Sequence, residues 1–170
     1  MIEIRPARYV DLPELRRIAI ETQLDTFGEA NTKENMDAFI RDHYSLLQFQ
    51  HELQEANAIC YIAWEGEEAV GFSQLRSTAE VESRLGVNTI ELHRLYVTKN
   101  FQGKKVGAML MQLSIDYSRK KNFEWLWLGV WEHNIKAQNF YKKWGFVRFS
   151  EHIFQMGEDA QTDWLLKLKL

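Results

Sequence analysis

A glycine-bearing turn in the middle of the chain has the composition of a phosphate site. Residues 97 to 108 read VTKNFQGKKVGA, where a β-rich segment ends, Gly103 follows, and an apolar helical spacing begins at Val106. Free N–H groups at a helix N-terminus bind anions, and Lys104 and Lys105 add positive charge. The glycine spacing matches neither the phosphate-binding loop of nucleoside triphosphatases nor the glycine pattern of dinucleotide-binding domains. We expect a pyrophosphate cradle here; an ordinary turn with solvated lysines is the alternative.

The strand before this turn contains a change of parity. Its apolar side chains alternate up to Leu92 and fall on the other parity from Leu95 onward, as one extra residue in a strand would cause. We predict a β-bulge near His93 and Arg94. Such a bulge splays neighbouring strands, and the backbone groups left unpaired could bind an extended, amide-bearing ligand such as pantetheine as if it were an added strand.

A helix about thirty residues further on carries a phenol that could act as an acid. The helix begins at Asn134, ends before Gly145, and places several apolar side chains on one face: Ala137, Phe140, Tyr141 and Trp144. An aromatic residue on such a face is usually a core residue. A phenol with a pKa of about 10 can also donate a proton to a leaving thiolate, so both roles are open for Tyr141.

Strands and helices alternate along the chain that must position these groups. The patterns predict an α/β (α+β) sandwich in which helices flank a mixed sheet of about six or seven strands, one of them bulged. The predicted strands span residues 2–5, 58–64, 69–76, 89–97, 123–131, 146–156 and 163–168, the 123–131 strand being fully buried. The predicted helices begin after Asp11, after Thr32, after Ser45 with Gln48 in a capping box, at Val106 and at Asn134.

Composition limits the classes of protein to which the chain can belong. Its 170 residues are 45% hydrophobic and 26% charged, which predicts one domain over residues 1–170. The net charge of −3 gives no general attraction to nucleic acid. The apolar runs at 58–64 and 125–131 are too short to cross a membrane, and no signal peptide is visible, so we expect a cytoplasmic protein. Cys60 is the single cysteine, which excludes an internal disulfide and a paired-cysteine metal site.

Together these segments resemble the GNAT superfamily of acyl-CoA N-acyltransferases. Its signature N-x-x-A-x-x-F-Y-x-x-x-G-F is met in full from Asn134 to Phe146. Its pyrophosphate motif has Gln or Arg, then Gly three residues later, then Gly or Ala two residues after that. Here the motif is met at Gln102 and Gly107, but Lys105 replaces the middle glycine. Short motifs at residues 35–36, 129–132, 152 and 161–163 are similar to those of PaiA-type bacterial polyamine acetyltransferases.

This resemblance implies a reaction and a set of cofactor contacts. It implies acetyl transfer from acetyl-CoA, as co-substrate, to a primary amine by direct attack, with spermidine or spermine as the expected acceptor. The backbone of the bulged strand would hold pantetheine, the turn would hold the pyrophosphate, and the later helix would supply further contacts. In that order the residues are Leu95, Tyr96 and Val97; Gln102, Gly103, Lys104, Lys105, Val106, Gly107 and Ala108; and Asn134, Asn139 and Lys143.

The resemblance also assigns catalytic and acceptor-binding roles. It favours Tyr141 as the general acid. Because an alkylammonium with a pKa near 10 must lose a proton before it attacks, a base is needed, and Glu91 and His93 are candidates through ordered water. Many relatives carry a glutamate five residues before the signature asparagine, where this chain has Gly129. Asp25 and Glu34 are candidate acceptor-binding residues, although solvated acidic faces are the ordinary explanation for them.

Two other functions stay open at this point. One is acetylation of a protein N-terminus or lysine, which needs a cleft for an extended chain. The other is a catalytically silent CoA-binding regulatory module, which Lys105 and Gly129 would favour. The histidine spacing predicts no metal site. A homodimer is compatible with the resemblance, and the oligomeric state stays open.

Overall fold

The computed structural model describes residues 1–77, 85–86, 88–156 and 158–170. Within these ranges seven strands form one mixed sheet in the order β1-β2-β3-β4-β5-β7-β6. The parallel pair is β4 with β5, and the other neighbouring pairs are antiparallel. The strands are β1 (Ile2–Pro6), β2 (Ile59–Glu65), β3 (Glu68–Arg76), β4 (Thr89–Val97), β5 (Trp125–Trp131), β6 (Val147–Met156) and β7 (Asp159–Lys169).

Five α-helices lie in the described ranges, and they cover the two faces of the sheet. They are α1 (Leu12–Phe27), α2 (Lys33–His43), α3 (Leu46–Glu52), α4 (Val106–Lys120) and α5 (Ile135–Lys143). Side chains of α1, α2 and α3 pack with Ile62 and Phe72, whereas α4 and α5 pack with Leu75, Ile90 and Leu126. Because side chains alternate between faces along a strand, these two clusters lie on opposite sides of the sheet. The first is called the α1 face below and the second the α4 face.

The predicted bulge is present in β4. Gln74 pairs with Arg94 and Leu75 pairs with Leu92, so His93 has no opposite residue on β3. The extra residue returns Arg94 and Tyr96 to the α1 face and Leu95 to the α4 face. The parity change in the sequence is therefore confirmed as a bulge at His93.

The predicted strand boundaries agree with the structure to within about two residues, including a start of β5 at Trp125 rather than 123, except at the start of β7. β7 begins at Asp159 rather than Asp163, because residues 159–162 pair with β6 in a hairpin although they lack an apolar alternation. The strand predicted to be fully buried has an exposed residue, Gly129, between buried Leu128 and Val130. That exposure marks open space above the middle of β5.

The helix starts show which capping predictions hold. Thr32 and Ser45 accept hydrogen bonds from the N–H groups of Asn35 and Gln48, as predicted. The capping box at Ser45 is wrong in its second half, because the Gln48 amide donates to Glu52 instead. Among the described residues, none of the helices combines the length and the apolar character that a bilayer crossing requires.

Candidate active site

The central feature of the site is a gap between β4 and β5. The two strands pair at three positions, of which the last joins Glu91 to Trp127. Beyond that point β4 continues to Val97, still paired with β3, and β5 continues to Trp131, paired with β7. Leu95, Tyr96 and Val97, predicted to hold pantetheine, therefore lie on the stretch of β4 that borders the gap.

The predicted phosphate turn has the backbone of an anion cradle. The first hydrogen bond of α4 runs from the Met109 N–H to the Lys105 carbonyl at 3.0 Å. The N–H groups of Val106, Gly107 and Ala108 therefore have no partner inside the helix and are free for an anion. A Cβ added to Gly107 would lie 3.7 Å from Val97 and 3.8 Å from the Phe140 ring, so this turn lies where β4, α4 and α5 meet.

Lys105, which stands where the family motif has glycine, adopts a left-handed backbone conformation. Its φ is +68° and its ψ is 0°, a left-handed conformation that costs a non-glycine residue free energy. Gly103 also has a positive φ of +81°. With lysine at position 105 the turn has a left-handed backbone, and the lysine adds an exposed, positively charged side chain.

Gln102 ties the turn to the two neighbouring elements. Its side-chain amide donates to the Val97 carbonyl at 3.0 Å, and its side-chain oxygen accepts a hydrogen bond from Lys136 on α5. Lys136 thus adds a positive charge beside the turn, which the sequence analysis missed because the two residues are 34 positions apart. The Lys104 ammonium lies 4.5 Å from the centroid of the Phe101 ring.

The residues predicted on α5 have different environments. The Asn134 side-chain oxygen accepts a hydrogen bond from the Ala137 N–H at 3.1 Å, so it caps the helix. Its amide N–H₂ group is the part that could reach a cofactor. Asn139 and Lys143 are exposed, and helical spacing places them on the same side of α5 as Lys136.

Tyr141 combines a core position with an unbonded hydroxyl. Its ring packs against Phe140 and Phe146, with centroid distances of 5.5 and 5.7 Å. No hydrogen bond joins its hydroxyl to another residue in the described ranges. Burial, together with the neighbouring Tyr96, raises the pKa of Tyr141 above its ordinary value, so the phenol stays protonated at neutral pH. A proton donor must be protonated before it acts.

Tyr96 connects the gap to the α1 face. Its hydroxyl lies 2.9 Å from the Tyr44 hydroxyl, which in turn donates to Gln23 at 3.0 Å. The Tyr96 and Phe72 rings meet edge to face at 5.4 Å. These contacts hold the end of β4 against the helices that cover this face.

Glu91, one of the candidate bases, is held in an ion pair. Its carboxylate accepts a hydrogen bond from Arg76 at 2.7 Å and lies 3.5 Å from His93 Nδ1. Burial raises the pKa of Glu91, but the contacts with His93 and Arg76 outweigh it and hold this pKa below its ordinary value. Glu91 is therefore a weaker base than a free carboxylate and not the solvated strand residue of the ordinary explanation.

A buried ion pair lies next to the second candidate base. Glu52 accepts hydrogen bonds from Arg94, and Gln74 bonds to both. His93 Nε2 lies 3.7 Å from Glu52 and has no hydrogen-bond partner in the described part of the chain. Burial raises the pKa of Glu52, but the contacts with His93 and Arg94 outweigh it and hold that pKa far below its ordinary value. The sequence analysis missed this pair, since 42 residues separate its members.

The open space at Gly129 adjoins a carboxylate that the sequence analysis did not select. A Cβ added to Gly129 would lie 3.4 Å from Asp163 Oδ2 on β7. Asp163 pairs with Trp131, whose ring lies 4.9 Å from Phe27 of α1, so the space opens on the α1 face. Burial raises the pKa of Asp163 to about 6, although nearby His152 lowers it. In the sequence, Gly129 is the residue that could have indicated this arrangement, because a glycine leaves room for a side chain from a neighbouring strand.

The two predicted acceptor-binding carboxylates are exposed side chains on helices of the α1 face. Asp25 is exposed on α1. Glu34 is exposed and lines a surface cavity with Thr32, Asn35, Ala38 and Glu158. Nothing in the described ranges brings three His, Cys, Asp or Glu side chains together as ligands for a metal ion.

Comparison with known proteins agrees with this geometry. The acetyltransferase (GNAT) family matches residues 17–146. An uncharacterized N-acetyltransferase of Lactobacillus delbrueckii subsp. lactis is 37% identical over 160 residues, which cover 94% of this chain and 92% of the relative. The spermidine N(1)-acetyltransferase of Thermoplasma acidophilum is 28% identical over 145 residues, which cover 85% and 88%.

Solved structures give the same result. The PaiA N-acetyltransferase of Thermoplasma acidophilum, in complex with coenzyme A, superposes with a TM-score of 0.83 at 25% identity. The match covers 100% of this chain and 99% of that one. The resemblance to PaiA-type proteins and the mixed-sheet fold are thereby confirmed. The chain belongs to the acetyltransferase (GNAT) family, as an N-acetyltransferase that takes its acetyl group from acetyl-CoA.

Proposed function

We propose that the acceptor is a primary amine of a small polycation, spermidine or spermine, and that it attacks the acetyl group directly. The relative named spermidine N(1)-acetyltransferase supports this choice, because it matches most of both chains. The PaiA structure, solved in complex with coenzyme A, supports acetyl-CoA as the co-substrate.

The observation that carries the proposal is the composition of the space above Gly129. It is bordered by the Asp163 carboxylate and by Trp131, whose ring lies near that of Phe27. Ammonium groups are attracted to carboxylates through charge-assisted hydrogen bonds and to the faces of aromatic rings. An acceptor without net positive charge would gain less, since the carboxylate of a zwitterionic amino acid is repelled by Asp163, so this space favours a cation.

On the cofactor side, the chain offers backbone donors and positive charge. The N–H groups of Val106, Gly107 and Ala108 would hold the pyrophosphate, with Lys104, Lys105 and Lys136 adding charge. The backbone of residues 95–97 would pair with pantetheine, and the Asn134 amide would bond near the thioester. Bound acetyl-CoA supplies a thioester carbonyl as the electrophile and a thiolate as the leaving group.

Tyr141 would give its proton to the departing sulfur. Its ring is fixed by Phe140 and Phe146, and its hydroxyl has no competing partner in the described ranges. The raised pKa keeps that proton in place until negative charge develops nearby. This assigns a chemical role to a side chain whose ring also belongs to the core.

A thiol-release assay with acetyl-CoA and a panel of acceptors tests the proposal. The panel contains spermidine, spermine, a monoamine of similar length, a neutral amino acid and a peptide with a free N-terminus. We expect the highest kcat/KM with spermidine or spermine. A higher kcat/KM with the peptide would replace the proposal with protein N-acetylation, and coenzyme A binding without turnover on any amine would replace it with a regulatory module.

A further inference from the structure

We infer that Asp163 is the catalytic base of the reaction and accepts a proton from the acceptor ammonium. The inference rests on the proposed amine acetylation and adds the group that makes the amine nucleophilic. It places the base on β7, two strands away from the candidates Glu91 and His93 on β4.

Asp163 lies beside the open space at Gly129. Gly129 has no side chain, and the Asp163 carboxylate lies 3.4 Å from the point where a Cβ would be. The register explains this proximity, because Gly129 pairs with Leu165 and Asp163 is two residues away on the same face of the sheet. A carboxylate is thus present in this space, supplied by the neighbouring strand.

The Asp163 carboxylate is largely buried and lacks hydrogen-bond donors in the described part of the chain. Its side chain is 17% exposed, and its contact with His152 Nε2 is 3.9 Å, beyond hydrogen-bond distance. No group within the described ranges donates a hydrogen bond to it. A largely buried carboxylate without donors costs free energy, so the site favours a ligand that brings N–H groups or a proton.

Asp163 is also a stronger base than Glu91, the alternative candidate. Burial raises the pKa of Asp163 to about 6, with His152 lowering it, which brings it near the working pH of a general base. Glu91 differs, because it forms an ion pair with Arg76, and its contacts with His93 and Arg76 outweigh burial and hold its pKa below the ordinary value.

Among the described residues, few titratable groups lie near enough to Asp163 to change the pKa of its carboxyl group. β5 contributes Gly129 and Trp131, α1 contributes the Phe27 ring beside Trp131, and β6 contributes His152. His133 contacts the Trp131 ring and is exposed, 3.8 Å from Glu132. His152 is therefore the ionisable neighbour in direct range of the carboxylate.

The proposed reaction moves the acetyl group from sulfur to nitrogen and releases one proton to water. Asp163 takes one proton from the ammonium, and the freed nitrogen lone pair forms a bond to the thioester carbon. The C–S bond breaks with its electron pair on sulfur, and Tyr141 protonates that sulfur. The nitrogen loses a second proton as the amide forms, which restores Tyr141, and Asp163 releases its proton to water.

The test compares Asp163→Asn with Asp159→Asn, the same change at an exposed position of the same strand. We expect Asp163→Asn to lower kcat/KM for spermidine about 100-fold or more at neutral pH while leaving the Kd for coenzyme A within about threefold. The parent should lose activity below an apparent pKa of about 6. Asp163→Asn should lack that decline and should recover relative to the parent as pH rises toward the amine pKa of about 10, since the free amine no longer needs a base.

Three results would overturn the inference. They are an Asp163→Asn variant within about threefold of the parent, a deficit that stays constant from neutral to alkaline pH, and a Glu91→Gln variant that shows the expected pattern instead. A parent that acetylates spermidine while Asp163→Asn does so equally well rejects only the base assignment. A parent that binds coenzyme A and acetylates no amine rejects the proposed function itself.

Discussion

The Asp163 carboxylate lies 3.4 Å from the point where a Cβ of Gly129 would be, although the two residues are on different strands. The antiparallel pairing of β5 with β7 produces this relationship. One residue leaves space in the centre of the sheet, and the other directs a charged group into it. The proposed acceptor side of the site therefore depends on the register of two strands rather than on one contiguous motif.

Asp163→Asn should make the folded protein more stable above pH 6. The folded pKa of about 6 exceeds the ordinary 3.8, so between these values the folded state binds more protons than the unfolded state. Stability is therefore lost as pH rises from about 4 to about 6. Replacing the carboxyl group should raise the free energy of unfolding at pH 7 by at most about 3 kcal/mol. Urea unfolding of parent and variant at pH 4 and pH 7 measures this, and a stability difference that does not change with pH would contradict it.

Gly107→Glu should abolish the pyrophosphate site without unfolding the chain. Its side chain and negative charge would occupy the place of an anion beside the free N–H groups of α4. We expect the affinity for acetyl-CoA to fall at least about tenfold, or about 1.4 kcal/mol, by calorimetry. Gly107→Ala is the matched control, because its Cβ fits at 3.7 Å from Val97 and 3.8 Å from Phe140. Equal affinity for Gly107→Glu and the parent would remove the turn from the cofactor site.

Tyr141→Phe should retain fold and cofactor affinity while lowering kcat. The lost hydroxyl has no hydrogen bond to another described residue, so stability should stay within about 0.5 kcal/mol of the parent. General acids contribute typically about 100-fold or more, which sets the expected loss in kcat. Tyr117→Phe, at the other end of α4 from the phosphate turn, is the control. An unchanged kcat, with chemistry rate-limiting, would return Tyr141 to a purely structural role.

Lys105→Gly should stabilise the protein. Lys105 has a φ of +68°, and the left-handed conformation costs a non-glycine residue about 1–2 kcal/mol. The greater flexibility of glycine in the unfolded chain offsets part of this, leaving a gain of about 0.5–1 kcal/mol. Lys105→Ala removes the same charge but keeps the Cβ, so it should show no such gain. Thermal unfolding distinguishes the two variants, and equal Tm values would contradict the assignment of strain to the backbone.

The sequence predicted those features whose signals are local. The parity change between Leu92 and Leu95 located the bulge at His93, and Asn134 and Gly145 marked the ends of α5. Contacts between distant residues were not predictable in this way. Glu91 was read as a solvated carboxylate or a base because nothing near it in sequence indicates Arg76, 15 residues earlier, as its ion-pair partner.

The site itself was predicted unevenly for the same reason. The cofactor turn is contiguous, so residues 102–108 could be selected together. Asp163 was not selected, because its relation to Gly129 depends on how β7 pairs with β5. A carboxylate in a short polar segment resembles any other until the register is known.

The central claim is acetyl transfer to a polycationic amine, and a competition in one reaction tests it most directly. Limiting acetyl-CoA is mixed with equal concentrations of spermidine, a monoamine of similar length and a neutral amino acid, and the products are identified by mass spectrometry. Because a second ammonium group can be held by charge, we expect acetylspermidine to predominate. Added salt should raise the KM for spermidine more than it lowers kcat. Dissolved ions screen the attraction between exposed charges over a distance of about 8–10 Å at physiological salt. Predominant acetylation of the neutral amino acid, with a KM insensitive to salt, would contradict the account.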